Sequence, residues 1–344
     1  MHKRIVLWAG LFIALALFSG CKKENKGGDS RSAEGGGKLV IYSPNSELLV
    51  NTIIPAFEKS SGVTVELISA GTGECWKRIE SEKNNPIADV IWGGQVQNSV
   101  PALLETYVSV NDGDVLPQFR NRDGTLTRYC LDGSVLLVNT ELAGDVQIEG
   151  YADLLNPALK GRLIMGDPTN SSSAFAQLSN ILYDMGGGDY LSEQAWDYVR
   201  QLLVQLEGKV GQSSSVVHKG VADGEYAVGL TYEDPSASYV RDGAPVKIVY
   251  MKEGVSFLPA TSGIIKNCKN LENAKKFMDF ITSKEAQDII GTQLTVRPVR
   301  GDAQLGSYMT PFSAINMIEE SQDKLGAAKA ELIERYKQIV TTMQ

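Results

Sequence analysis

The chain contains little histidine and little cysteine. Its 344 residues include only two histidines, His2 and His218, and four cysteines. No cysteines have the CxxC spacing of a zinc or redox site. The three that follow the first segment of the chain, Cys75, Cys130 and Cys268, can form at most one internal disulfide. We therefore predict no bound metal and no cofactor, and we expect at least one of these cysteines to be a small buried residue.

Positive charge is also scarce. The sequence has 33 Lys and Arg against 41 Asp and Glu, a formal net charge of −8 at pH 7. Loss of residues 1–20, which hold Lys3 and Arg4, would change that charge from −8 to −10. Nucleic-acid binding needs clustered Lys and Arg to contact phosphates, so we predict no nucleic-acid partner.

Sequence signatures of common enzymes are missing as well. There is no P-loop, no GxGxxG fingerprint and no GxSxG nucleophile elbow. Serines occur in runs, which does not match a single activated nucleophile, although Asp167, His218 and the serines leave a Ser-His-Asp arrangement as an alternative. Internal repeats of a structural or adhesive protein are absent too. We predict a non-enzymatic protein.

The first segment of the chain has the pattern of a secretory signal peptide. A short basic start is followed by an apolar run from 5 to 18 and by the small residues Ser19 and Gly20. The run is shorter than the ~20 residues that span a bilayer, so we expect cleavage, with 1–20 as the signal peptide. Residues 21–37, rich in Lys, Glu, Gly and Ser, should form a flexible tether.

The segment from Leu17 to Cys21 resembles the bacterial lipobox, because a small-residue pair directly precedes the cysteine. The resemblance implies that Cys21 is lipidated and becomes the new amino terminus. Several acyl chains would then anchor an otherwise soluble domain to a bacterial membrane, in the periplasm or at the cell surface. The alternative is a soluble secreted protein in which Cys21 lies within a spent signal.

The sequence from about residue 38 onward predicts a two-lobed α/β protein. About 300 residues exceed what one hydrophobic core usually holds. Apolar strands at 38–42, 63–68 and 88–92 alternate with helices at 47–59 and 74–83. This is the βαβ alternation of a parallel sheet covered on both faces. Pro55 interrupts the first helical pattern and weakens that helix prediction.

Small and hydroxyl residues follow each of these strands. They are Ser43, Ser46, Thr72 and Gly73, and after the third strand Gly93 and Gly94 are followed by the amide residue Gln95. In open α/β sheets, ligands bind beyond the carboxyl ends of strands, where helix N-termini offer free N–H groups to anions. Each loop taken alone is explained by ordinary helix capping. Their succession predicts a shared cleft.

A second α/β pattern follows a predicted strand from 131 to 139 that crosses between the lobes. After a strand at 162–165 come Thr169, Ser171, Ser172 and Ser173, directly before a helix at 174–185. Capping needs only one hydroxyl, so this concentration predicts an anion site. Near the end of the chain we predict a strand at 256–260, a return to the first lobe at 261–265 and a mostly helical tail from 303 to 343.

The stretch Gln212 to Pro235 combines several polar side chains with a short apolar run. We interpret it as a helix start, a helix, a strand at 226–230 and a loop. Ser214 and Ser215 would then lie near the anion, and His218, Glu233 and Asp234 near the rest of the ligand. The alternative is a capped surface helix followed by a core strand.

The sequences KLVIYS, NPIADVIWGG, GDPTNSSSAF, VADGEYAVGLTYEDP and FITSKEAQDII, in this order, resemble bacterial extracellular solute-binding proteins, in the branch that binds ferric iron, thiamine, phosphonates and hexose phosphates. The resemblance implies a two-lobed periplasmic-binding-protein fold of type II, each lobe a mixed, mostly parallel sheet flanked by helices. It also implies hinge closure on the ligand and an inner-membrane ABC permease and ATPase as partners. We expect a monomer. Lobe 1 should comprise residues 38–130 plus 255–302, and lobe 2 residues 131–254 plus 303–344.

Two features of the sequence bear on the identity of the ligand. Ferric binders of this branch use adjacent tyrosines at the position of Thr231 and Tyr232, and here only one tyrosine is present. The serine runs resemble the hexose-phosphate binders instead. We therefore predict a small phosphorylated solute, a hexose phosphate, with ferric iron or an organophosphonate as the alternative. Trp92 either lies against a sugar face or belongs to the core.

Overall fold

The computed structural model describes residues 37–94, 101–319 and 321–343. The predicted signal peptide, the tether, Cys21 and Gln95 lie outside this range. No helix within it is long and apolar enough to cross a membrane. The strands of the described part are β1 (Lys38–Ser43), β2 (Thr64–Ser69), β3 (Val90–Trp92), β4 (Thr127–Asn139), β5 (Leu163–Gly166), β6 (Val210–Gly211), β7 (Val228–Tyr232), β8 (Val246–Val249), β9 (Phe257–Ile264) and β10 (Arg297–Pro298).

The helices surround these strands, and short 3₁₀ turns join several of them. They are α1 (Glu47–Ser61), α2 (Thr72–Ser81), α3 (Ser172–Met185), α4 (Glu193–Leu206), α5 (Ser214–Ala222), α6 (Glu233–Arg241), α7 (Leu271–Ile281), α8 (Lys284–Gln293) and α9 (Gln322–Met343). Most predicted helices are confirmed within a few residues.

Strand β4 joins the two lobes. Its first half, from Thr127 to Gly133, pairs antiparallel with β9 in the sheet that also holds β1, β2 and β3. Its second half, from Ser134 to Asn139, pairs with β7 and β8 in the other sheet. Strands β1, β2 and β3 run parallel, as do β5, β6 and β7. The predicted two-lobed α/β architecture and its crossing strand are confirmed, while the exact division of the chain between lobes stays a prediction.

The central strands of both sheets are buried on both faces, which explains why they are nearly continuous in apolar residues, while the edge strand β2 is partly exposed. In β1, Leu39 and Ile41 pack in the core that also contains residues of α1 and α7, and Val40 packs in the core that contains residues of α2. In the second lobe, Leu136 belongs to the large core beneath α3 and α4, and Leu137 to the small core beneath α5.

Two local predictions are wrong. Pro55 does not interrupt α1, because Pro55 is exposed while Leu49, Ile53 and Phe57 form the buried stripe. The loop predicted at Glu233 is the first turn of α6.

The predictions for the end of the chain are confirmed. The strand predicted at 256–260 and the return to the first lobe predicted at 261–265 belong to one strand, β9, which pairs with β3. The tail is mostly helical, because α9 covers 22 of its residues.

The cysteines of the described part are all free. Cys75 and Cys130 are buried, and Cys268 is partly exposed. The expectation of a small buried cysteine is therefore confirmed for the first two residues.

Candidate functional site

A cavity of about 570 Å³ lies at the junction of the two lobes. Its walls come from the loop before α1, the middle of β4, the start of β9 and the N-terminal ends of α3, α5 and α6. The described polar residues that line it are Asn45, Ser46, Tyr129, Asp132, Ser134, Asn170, Ser171, Ser172, Ser173, Gln212, Ser213, Ser214, Tyr232 and Asp234. The predicted shared cleft therefore exists, and the helix starts of the second lobe supply much of it.

The start of α3 is the richest source of hydroxyl groups. Ser171 caps the helix, accepting from the Ala174 N–H at 3.3 Å, and its hydroxyl lies 3.0 Å from that of Ser173. Ser172 is exposed at the first helical position. All three serines line the cavity. Thr169 does not, because its hydroxyl donates to Asp167 Oδ1 at 2.7 Å and stays in the preceding turn.

The start of α5 adds a second set of serines. Ser213 and Ser214 line the cavity together with Gln212. Ser215 is exposed and lies outside the cavity, and its hydroxyl is 2.8 Å from that of Ser213. The two serines differ because one residue along a helix turns a side chain by about 100°. The predicted role of Ser215 near the anion stays a prediction.

The first turn of α6 separates its two acidic residues. Asp234 lines the cavity, whereas Glu233 is fully buried behind it. The Glu233 carboxylate accepts from Arg297 Nε at 2.8 Å and also bonds with the other end of the guanidinium and with the Tyr250 hydroxyl. Glu233 is therefore not among the described residues that line the cavity, because its carboxylate is engaged by these groups, and its predicted contact with the ligand stays a prediction.

His218 also lies outside the cavity. Its ring contacts the ring of Tyr232, 6.1 Å away between centroids, and that of Tyr239, 5.9 Å away. Burial lowers the pKa of His218, so the imidazole is neutral near pH 7. The histidine therefore packs against Tyr232, which itself lines the cavity, and the predicted direct contact of His218 with the ligand stays a prediction.

The first lobe contributes fewer of the predicted residues. Ser46 caps α1 and lines the cavity. Ser43 is fully buried and donates to the Trp92 carbonyl at 2.7 Å, so it shapes the loop without reaching the cavity. Thr72 and Gly73 begin α2 and are not among the residues lining the cavity. Loop geometry accounts for Ser43, and Thr72 and Gly73 belong to the first turn of α2, whose N-cap is Gly71.

Trp92 belongs to the core of the first lobe. It is fully buried, with its ring centroid 5.4 Å from that of Phe277 and 5.9 Å from that of Tyr129. The alternative of a sugar platform is therefore wrong. Tyr129 reaches the cavity instead, and its hydroxyl donates to Asn45 Oδ1 at 2.8 Å.

Two carboxylates line the cavity, those of Asp132 and Asp234, and Asp132 was not predicted. Asp132 of β4 accepts from the Asp234 backbone N–H at 3.4 Å. Burial and the neighbouring Asp234 and Glu233 charges raise the pKa of Asp132 well above its usual range. Burial also raises the pKa of Asp234, against a hydrogen bond from Thr295 that lowers it. The only signal of Asp132 in the sequence is a charge inside an otherwise apolar strand.

The described lining therefore combines hydroxyl groups, helix N-termini and two carboxylates, without a Lys, Arg or His side chain. Helix N-termini attract anions without cationic side chains. Carboxylates accept hydrogen bonds from hydroxyl or ammonium groups. Within the described residues, no group of three or more His, Cys, Asp and Glu is placed to hold a metal ion. The arrangement can bind a polar molecule that has an anionic end and a hydrogen-bond-donating end.

Comparisons with known proteins agree with this two-lobed cleft. The crystal structure of the periplasmic binding protein AfuA from Actinobacillus pleuropneumoniae, with exogenous fructose 6-phosphate bound, is 27% identical and has a TM-score of 0.70. The match covers 89% of this chain and 99% of that one. A ferric binding protein from Campylobacter jejuni, 21% identical with a TM-score of 0.69, shares the fold over 88% of this chain and 99% of its own. The fold is that of the periplasmic binding proteins, as the sequence resemblance implied.

Sequence relatives extend over most of the chain. An uncharacterized protein of Haemophilus influenzae is 28% identical over 329 residues, which are 90% of this chain and 93% of the relative. Residues 39–293 match the family described as bacterial extracellular solute-binding protein. The chain belongs to the family of bacterial extracellular solute-binding proteins.

Proposed function

We propose that this protein captures a small phosphorylated solute, a hexose phosphate, and delivers it to an ABC importer. The observation that carries the proposal is the composition of the cavity. Serine-rich helix starts face it from α3 and α5, and two carboxylates face it from β4 and α6. A sugar phosphate has the matching chemistry, with an anion at one end and hydroxyl donors along the rest.

The phosphate would bind at the helix starts. The lining hydroxyls of Ser171, Ser172 and Ser173 and of Ser213 and Ser214 can each donate one hydrogen bond. The first N–H groups of the two helices have no partner within the helix and carry the positive end of the helix dipole. Together they bind an anion with no need for a lysine or arginine.

The sugar would bind against β4 and α6. Asp132 and Asp234 accept hydrogen bonds from hydroxyl groups, and charge-assisted hydrogen bonds of this kind are about twice as strong as neutral ones. Tyr232 and Asn45 line the same cavity and add neutral polar partners. Ser46, which the sequence predicted to bind the ligand, also lines the cavity.

Ferric iron is less compatible with these residues. Thr231 occupies the position before Tyr232, and its side chain is buried and outside the described lining. A pair of adjacent phenolates is therefore missing. An organophosphonate with an ammonium group is the second candidate, favoured by one observation: the two carboxylates can face an ammonium as well as hydroxyl groups.

Calorimetry on the mature protein tests the proposal. The ligands are glucose 6-phosphate, fructose 6-phosphate, glucose, inorganic phosphate, 2-aminoethylphosphonate and ferric citrate. We expect a hexose phosphate to bind more tightly than glucose or phosphate alone, because only it uses both ends of the cavity. Binding of ferric iron with no response to any phosphate ester would overturn the proposal. Tighter binding of the aminophosphonate would replace the sugar phosphate with the second candidate.

The cellular setting follows the same proposal. We propose a monomer that is anchored to a bacterial membrane through lipidated Cys21 only, at the periplasmic or outer face, and that docks on an inner-membrane permease driven by its ATPase. Mass spectrometry of the mature amino terminus tests the anchor. We expect acyl chains on Cys21, and an unmodified terminus elsewhere in the chain would disprove lipidation.

A further inference from the structure

Asn45 lies in the loop between β1 and α1, and its side-chain amide is held on both sides. Its Nδ2 donates to the backbone carbonyl of Trp92 at 3.0 Å, and its Oδ1 accepts from the Tyr129 hydroxyl at 2.8 Å. The Asn45 backbone N–H also donates to Ser43 Oγ at 3.2 Å. Asn45 is half-buried and lines the cavity. A cavity residue of the first lobe is therefore fixed by contacts with three other elements, β1, β3 and β4.

These two bonds determine the direction of the Asn45 amide. A backbone carbonyl can only accept a hydrogen bond, so the NH₂ group must face Trp92. The amide oxygen then faces Tyr129, whose hydroxyl must donate to it. A rotated amide would place its oxygen against the Trp92 carbonyl, with two acceptors in contact. Trp92 therefore sets the direction of the amide, and Tyr129 holds it at that angle.

The surroundings of the amide leave it little room to move. The φ of Gly93 is +111°, and a Cβ at this position would lie 2.5 Å from Asn45 Oδ1. Glycine, which has no Cβ, therefore lets the amide approach the end of β3 this closely. Tyr129 is 1% exposed, and its ring packs against that of Trp92 in the first-lobe core. A buried tyrosine of the crossing strand thus holds the amide at the end of β3.

We propose that Tyr129 is a positioning residue that acts through Asn45, and that the Asn45 amide binds a hydroxyl group of the sugar. The inference rests on the proposed function, and it deepens it. The described bonds leave the amide one N–H and one oxygen lone pair. A hydroxyl group uses both, because it donates and accepts. A phosphate oxygen uses only the N–H, and an ammonium group uses only the lone pair, so Asn45 favours a polyol phosphate over an aminoalkyl phosphonate.

A double-mutant cycle tests whether Tyr129 acts through Asn45. We expect Asn45→Ala to weaken glucose 6-phosphate binding by about tenfold and Tyr129→Phe by about fivefold, as the loss of hydrogen bonds implies. In the Asn45→Ala protein, Tyr129→Phe should cause no further loss, because the residue it positions is gone. Calorimetry on the four proteins measures these affinities. A further fivefold loss in the Asn45→Ala protein, or unchanged affinity in Asn45→Ala itself, would overturn the proposal.

Two controls separate positioning from a general structural effect. Tyr198→Phe also removes a buried tyrosine hydroxyl, which donates to the Tyr151 carbonyl at 2.6 Å in the second-lobe core, outside the described lining of the cavity. We expect it to change glucose 6-phosphate affinity by less than about twofold. Ser214→Ala changes the cavity wall of the second lobe, so its loss should add to that of Tyr129→Phe. An equal loss in Tyr198→Phe, or losses at Ser214 and Tyr129 that do not add, would overturn the positioning role.

A measurement without ligand separates this inference from the proposed function. The side-chain NH₂ signals of Asn45, identified by their loss in Asn45→Ala, are followed by NMR in the ligand-free protein. We expect Tyr129→Phe to speed their hydrogen exchange with water by about fivefold, and Tyr198→Phe to leave it unchanged. No response to Tyr129→Phe would disprove the positioning role even if a hexose phosphate binds. If no hexose phosphate binds and the amide responds as expected, the proposed function fails while the positioning role stands.

Discussion

Arg297 and Glu233 form a fully buried ion pair behind the cavity, joining β10 to the start of α6. The guanidinium also donates to the Thr310 carbonyl at 2.8 Å and lies 4.6 Å from the centroid of the Phe312 ring. Its partners belong to segments that are far apart in the sequence. The pair therefore holds the cavity wall that carries Asp234 in place.

Breaking this pair should destabilise the protein strongly. In Glu233→Gln the buried Arg297 loses its counter-charge, and we expect the free energy of unfolding to fall by about 3–5 kcal/mol. The matched control is Glu66→Gln, which breaks the exposed Lys38–Glu66 pair and should cost at most about 1 kcal/mol. Guanidinium denaturation measures both changes. Equal effects of the two substitutions would contradict this account of Glu233.

Ser214 and Ser215 offer a neighbouring pair for testing the anion site. Ser214 lines the cavity and Ser215 does not. We expect Ser214→Ala to weaken glucose 6-phosphate binding by about fivefold, as loss of one hydrogen bond implies, and Ser215→Ala to change it by less than about twofold. Calorimetry on both variants checks the difference. An equal loss in the two variants would argue against phosphate binding at the start of α5.

Trp92 should affect stability without affecting binding. Its side chain is buried in the first-lobe core, and its indole N–H has no hydrogen-bond partner among the residues that the structure describes. Trp92→Phe therefore removes packing volume and none of the described hydrogen bonds. We expect a loss of about 1–3 kcal/mol in the free energy of unfolding. The affinity for glucose 6-phosphate should stay as it is in the unsubstituted protein. A weaker affinity in a folded Trp92→Phe protein would indicate that Trp92 takes part in ligand binding.

Asp132 should make the ligand-free protein less stable as pH rises. Its pKa is raised in the folded state, so folding takes up protons, and stability falls as the pH rises from the unfolded value toward the folded one. Asp132→Asn removes this cost at neutral pH. We expect its Tm to exceed that of the unsubstituted protein by a few degrees at pH 7.5, with a smaller difference at pH 4. Thermal unfolding at both pH values provides the test, and a destabilised variant at pH 7.5 would contradict the sign.

Residues of α6 show where prediction from sequence fails. Glu233 and Asp234 are adjacent acidic residues after an apolar strand, and nothing local distinguishes them. The partner that removes Glu233 from the cavity is Arg297, 64 residues away. Asp132 was missed for a related reason, because a single charge in a strand does not indicate which residues it faces.

The sequence by itself determined the fold class, the serine-rich helix starts and the crossing strand, because apolar periodicity and capping residues act over a few neighbouring positions. Tertiary structure alone decided which polar side chains share the cavity. It buried Glu233 against Arg297, placed His218 behind Tyr232, put Trp92 in the core and brought Asp132 to Asp234. These outcomes depend on contacts between distant segments, where packing and charge pairing override local pattern.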